Sequence, residues 1–151
     1  MENIGSLIPS LESLLGKLDL LVRVMMLAGP LALLGLGLYY FLLPPKEANH
    51  SAGYRFRYGM RKVKVWIFMQ RTAGAVYSLV GLVLTIIMSV RCSGMVSMAP
   101  EAMLWAAAKC ILWQFVVIAA ASFIINVTVV IFYDSQGNSR REMRELFRKV
   151  K

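Results

Sequence analysis

Negative charge is scarce in this chain. Only 8 of its 151 residues are Asp or Glu, against 17 Lys and Arg, and charged residues together make up 17%. Soluble domains carry about a quarter charged residues. So little charge beside a hydrophobic share of 58% excludes an ordinary soluble fold. Histidine occurs once, at His50, and cysteine twice, at Cys92 and Cys110, with no Cys-x-x-Cys or Cys/His cluster, so no metal or other cofactor is expected. The two cysteines flank one short loop and read as apolar-phase thiols, with a disulfide as the alternative. There is no Gly-rich phosphate loop, no Gly-x-Ser-x-Gly elbow and no acid within the longest apolar runs, which leaves no catalytic constellation and points away from an enzyme. No basic residue precedes Lys17, so a cleaved signal peptide is not expected either.

What the chain does have is three charge-free runs, Val24 to Leu43, Thr72 to Val90 and Cys110 to Tyr133. A hydrocarbon core of about 30 Å is crossed by roughly 20 helical residues. Three strands could not close a barrel, and lipid leaves no open backbone group satisfied, so the runs must be helices. The expected fold class is an all-α integral membrane protein with spans at about 20–43, 66–90 and 104–133. Interfacial aromatics mark the ends: Tyr39, Tyr40 and Phe41, then Trp66, then Trp105 and Tyr133. Pro44-Pro45 stops the first helix, and Gly29-Pro30 is a candidate kink within it.

Charge sets the orientation. The 44–65 loop carries Lys46, Arg55, Arg57, Arg61, Lys62 and Lys64 against Glu47, and the 134–151 tail carries Arg140, Arg141, Arg144, Arg148, Lys149 and Lys151. The positive-inside rule makes both cytoplasmic, which two intervening crossings allow, and puts the N-terminus outside a cell membrane. The net charge of +9 therefore reads as topology, and nucleic acid is not expected as a partner.

Both termini read as amphipathic helices. Over residues 1–19, Ile4, Leu7, Ile8, Leu11, Leu14, Leu15 and Leu18 recur at helical spacing, which predicts an interfacial helix or one packed on a partner or sister protomer. In the tail, Asp134 to Asn138 reads as a turn, and Ser139 with Glu142 forms a capping box. Met143, Leu146, Phe147 and Val150 then make an apolar face beside a basic one, suited to anionic membrane lipid or to a docked protein.

Four polar residues within or beside the spans, Gln70, Arg71, Gln114 and Asn126, are costly in lipid and so are candidates for the bundle interior. Arg71 and Asn126 lie at similar depth and could meet, unless Arg71 snorkels to the interface. Gly74, Ser78 and Gly81 line one side of the second helix and permit close helix packing. In the loop, Tyr54-Arg55-Phe56-Arg57-Tyr58 interleaves aromatics and bases, a pattern suited to phosphate or carboxylate recognition as well as to plain topology. Asn49-His50-Ser51 matches a glycosylation sequon, which a cytoplasmic loop would not expose to the modifying enzyme.

Around this loop the chain resembles the SdpI family, membrane proteins of immunity to a sporulation-delaying toxin. The matching residues are Pro44-Pro45-Lys46 through Asn49, Gly53-Tyr54-Arg55, Met60 and Trp66, joined by Phe132-Tyr133-Asp134 with Gly137-Asn138. The resemblance spans about Pro44 to Asn138. It departs from the family pattern at Phe56, Gly59 and Lys62, where small polar residues or Asn are usual. It implies a three-helix unit and a non-enzymatic immunity or receptor-like module binding a peptide toxin or another membrane partner, with Asn49, Gly53, Tyr54, Arg55 and Trp66 as its recognition loop. The alternatives are a scaffold subunit that homo-oligomerises through its small-residue face and N-terminal helix, and a small-solute transporter.

Overall fold

In the computed structural model, which describes residues 7–46, 53–57, 59–95 and 98–150, the side chains of residues 7–15 and of Leu146, Phe147 and Val150 are left aside. Four helices follow one another: α1 (Leu7–Leu42), α2 (Val63–Ser93), α3 (Pro100–Phe132) and α4 (Arg140–Val150). No strand occurs among the described residues, and the three long helices contain segments long and apolar enough to cross a membrane: Gly16–Leu42, Val63–Ser93 and Pro100–Phe132. They run up, down and up.

Each helix overshoots the span expected from hydropathy, because backbone hydrogen bonding continues past the point where the first charge appears. The overshoot is greatest in α1. At 1.5 Å per residue, its 36 residues extend about 54 Å. A separate interfacial helix over 1–19 is therefore not found in the described part of that segment, where the chain from Leu7 onward belongs to the same helix as the span. The reason is local: no proline or glycine separates Lys17 from Arg23, and Arg23 Nε bonds both carboxylate oxygens of Asp19 at 2.9 and 3.0 Å, one helical turn away. Residues 1–6 of the expected apolar stripe lie outside the described residues.

Helices α1 and α2 pack along most of their length, while α3 is held more loosely. Three contacts set the α1–α2 seam. A Cβ on Gly74 would lie 2.4 Å from Phe41 N, one on Gly81 2.5 Å from Leu34 N, and one on Gly37 2.3 Å from Ser78 N. Backbones that close cannot accommodate side chains. The small-residue face of α2 is thus filled by α1 of the same chain. Much of the outward surface is apolar, including Leu79, Ile86, Trp113, Phe115 and Phe123, far more than a water-facing monomer carries.

The helix passes through Pro30 unbroken. Proline has no N–H, so the carbonyl of Met26 loses its normal partner four residues ahead. Gln114 of α3 supplies it: its Nε2 donates to Met26 O at 3.0 Å. Gly29 makes the approach possible, since a Cβ there would sit 2.9 Å from Gln114 Oε1. One of the intramembrane polar residues therefore closes the gap left by the proline, as lipid demands. Cys92 and Cys110 are free thiols beside one apolar cluster.

Candidate functional site

The residues singled out in the 44–65 loop converge at one end of the bundle. Trp66, in the first turn of α2, is wholly buried, and its indole N–H donates to Pro45 O at 2.7 Å. This ties the proline turn after α1 to the start of α2. Gly53 lies against the indole with φ +114°, in the region that only glycine adopts readily. A Cβ there would meet the Trp66 ring at 2.8 Å and Gln70 Nε2 at 3.1 Å.

Tyr54 is fixed at both ends. Its backbone N–H donates to Gln70 Oε1 at 2.8 Å, and Gln70 Nε2 donates back to Tyr54 O at 2.7 Å. A fully buried amide thus satisfies both main-chain groups of one loop residue, as strand pairing would. The side chain of Tyr54 points into the bundle, where its hydroxyl faces Asn126 Oδ1 at 2.8 Å and Ser122 O at 3.1 Å on α3. Tyr77 of α2 packs edge-on against it, with ring centroids 5.8 Å apart. The Tyr77 hydroxyl meets Ser122 Oγ at 2.9 Å, and Ser122 Oγ donates to Ile118 O, so the Tyr77 proton is directed to Ser122. Burial pushes the Tyr54 phenol above its ordinary value, so it stays a neutral hydrogen-bond donor.

Below this network lies the second segment of interest. Asp134 folds the chain after α3 into a turn by accepting from Gln136 N at 2.9 Å and Asn138 N at 2.7 Å, while Asn138 Nδ2 donates to its other oxygen at 3.2 Å. The backbone N–H of Asn138, first among these donors, holds the carboxyl below its usual range. Gly137 has φ +76° and packs against Lys62 and Val65, and Lys62 Nζ donates to Asn138 Oδ1. The turn is thereby joined to the N-terminus of α2. Residues 140–150 then run as a helix, with Arg141 and Glu145 3.7 Å apart on its exposed surface.

Arg55 follows directly on the clamped Tyr54 and is exposed, as are Arg57, Arg61, Lys64, Arg71 and Arg140 at the same end. Asp134, the nearby acid, is engaged by its turn. Here the structure divides the expected recognition residues into two groups. Gly53, Tyr54 and Trp66 are engaged in packing and hydrogen bonds within the bundle end, Trp66 wholly buried and the other two partly, and Arg55 is exposed. Asn49 lies outside the described residues, as do His50, Ser51 and Tyr58. Arg71 and Asn126 do not meet: Arg71 points outward, and Asn126 is taken by Tyr54.

Tyr77 and Ser122 are not among the residues that the sequence marks out, where Gln70 stands only as a polar residue within or beside a span. The signal was present, since Gln70 and Tyr77 are seven apart on α2 and Ser122 and Asn126 four apart on α3, each pair on one helical face. No protein-family model matches this chain, and no curated protein or solved structure matches it either.

Proposed function

We propose that the protein is a non-enzymatic, receptor-like module of the SdpI type in a bacterial inner membrane, binding a peptide toxin or another membrane partner through its basic end. In this reading the basic end is cytoplasmic and the N-terminus outside, because basic residues are retained on the inner face. The observation that carries it is the Gln70 clamp on the backbone of Tyr54. It fixes the backbone of the residue before Arg55, which is itself exposed, and a guanidinium on such a base suits a carboxylate or phosphate.

The positions that depart from the family pattern also fit a loop built for packing. Phe56 joins the apolar cluster of Val65, Trp66, Met69 and Val129, the Met69 thioether fills the space a side chain at Gly59 would take, and Lys62 bonds Asn138. The binding role accordingly falls to Arg55 and the exposed bases around it, with Gly53, Tyr54 and Trp66 as its support.

Native mass spectrometry from a lipid-preserving detergent, on wild type and Arg55→Ala, tests this. A peptide or lipid adduct present in the wild type and lost in a variant of unchanged helical content is expected. Identical, adduct-free spectra for both proteins would overturn the reading.

A further inference from the structure

At the end of the bundle remote from the basic loop, the C-terminal part of α2 and the N-terminal part of α3 diverge around a groove of about 960 Å³, near the upper limit for ligand pockets. Its α3 wall is a single helical stripe, Ala102, Trp105, Ala106, Lys109, Cys110 and Trp113, and its α2 wall includes Ile87, Met88 and Arg91. The lining is apolar except for two side chains, Arg91 and Lys109, and both are cations.

Their position along the helices is informative. The charge-free run of α2 ends at Val90, directly before Arg91, and that of α3 begins at Cys110, directly after Lys109. Both charges therefore lie at the boundary between hydrocarbon and headgroups. Neither has an ion pair among the described residues, in contrast to Arg23 at the same end, which is held by Asp19. The positive-inside rule accounts for the cations of the basic loop and tail but not for Arg91 and Lys109 at the other face. Trp105 and Trp113, exposed on the groove wall, have the amphipathic character of interfacial anchors.

We propose that this groove holds an anionic phospholipid, its phosphate headgroup between Arg91 and Lys109 and an acyl chain along the apolar floor of Met88 and Ala106. The occupant is lipid because the groove opens at headgroup depth on a surface otherwise made of apolar side chains, and it is anionic because two unpaired cations at its rim are matched by no acid in its lining. The assignment is independent of the function proposed for the basic end.

Tryptophan emission supplies the test. The protein is reconstituted in phosphatidylcholine vesicles containing a minor fraction of phosphatidylglycerol brominated on its chains or, in parallel, the same fraction of brominated phosphatidylcholine. Brominated phosphatidylglycerol should quench in excess, corresponding to enrichment on the order of tenfold, the scale set by two cations near an anionic headgroup. The excess should vanish in Arg91→Gln/Lys109→Gln, persist in the charge-retaining Arg91→Lys/Lys109→Arg, and persist in Arg140→Gln/Arg141→Gln. Equal quenching by both lipids in the wild type, an excess that survives in the glutamine pair, or an excess lost only in the tail variant would each overturn the proposal. So would a wild type indifferent to lipid whose emission responds instead to an added acidic peptide.

Discussion

At the end of the bundle bearing the 44–62 linker, Trp66, Gln70, Tyr54 and Asp134 each hold a partner through directional hydrogen bonds. At the opposite end, Met26, Met88, Met95 and Met103 gather around Cys92 in a cluster that relies on apolar contact. The difference lies in what each set of interactions can tolerate. Hydrogen bonds between a buried amide and a backbone have one good geometry, so they pin the loop in place. Methionine side chains are unbranched and polarisable and repack around whatever fills the gap. The pinned end presents fixed charges, and the soft end borders a groove open to an apolar chain.

The largest single loss is expected at the pinned end, and a volume-conserving change at the soft end should be absorbed. Trp66→Ala removes a fully buried indole together with the bond to Pro45 and should destabilise by about 3–5 kcal/mol, read as a lowered midpoint of thermal unfolding in detergent. Met88→Leu at the soft end should cost less than about 1.5 kcal/mol by the same measurement. Similar losses for both would erase the distinction.

Gln70→Leu leaves the N–H and carbonyl of Tyr54 without their partner, and a loss of about 2–3 kcal/mol is expected. Fast amide exchange at Tyr54 would localise the effect. Gln114→Leu should cost less, about 1–2 kcal/mol, since one carbonyl is affected. In a Pro30→Ala background that cost should shrink, because an alanine N–H restores the bond to Met26 O; an unchanged cost in the double-variant cycle would disprove the role assigned to Gln114.

The smallest effect concerns Asp134. Its carboxyl is held low in the folded state, so the stability it gives the turn is present above the ordinary carboxylate range and is lost as pH falls through the lowered folded value. Exchange protection at Gln136 and Asn138 should therefore fade in acid, and Asp134→Asn should flatten that pH response.

Much of the architecture was legible in the order of residues. Charge-free runs located the three long helices, Pro44-Pro45 their first boundary, and Asp134 to Asn138 a turn. The continuity of α1 was harder to read, because Lys17, Asp19 and Arg23 resemble the polar edge of a span; yet Asp19 and Arg23 are one turn apart, the spacing of a pair that props up a helix. Within the candidate site, Trp66, Gly53 and Tyr54 stood out by type while their roles did not. Gln70 reaches Tyr54 from sixteen residues away, and nothing in the local pattern distinguishes that partner from Asn126 or Gln114.

The sequence by itself determined the number and type of the spanning elements, because backbone groups in lipid must be satisfied within their own segment and only long apolar helices do that. It also determined that Pro30 would leave the carbonyl of Met26 in need of a donor. Only the tertiary structure decided which glutamine would answer that need, which would clamp Tyr54, and that α1 would cover the glycines of α2. Those pairings depend on the relative depth and rotation of helices far apart in the chain, set for α1 against α2 by how close Gly37, Gly74 and Gly81 let the backbones come and for α3 against α1 by the approach that Gly29 allows.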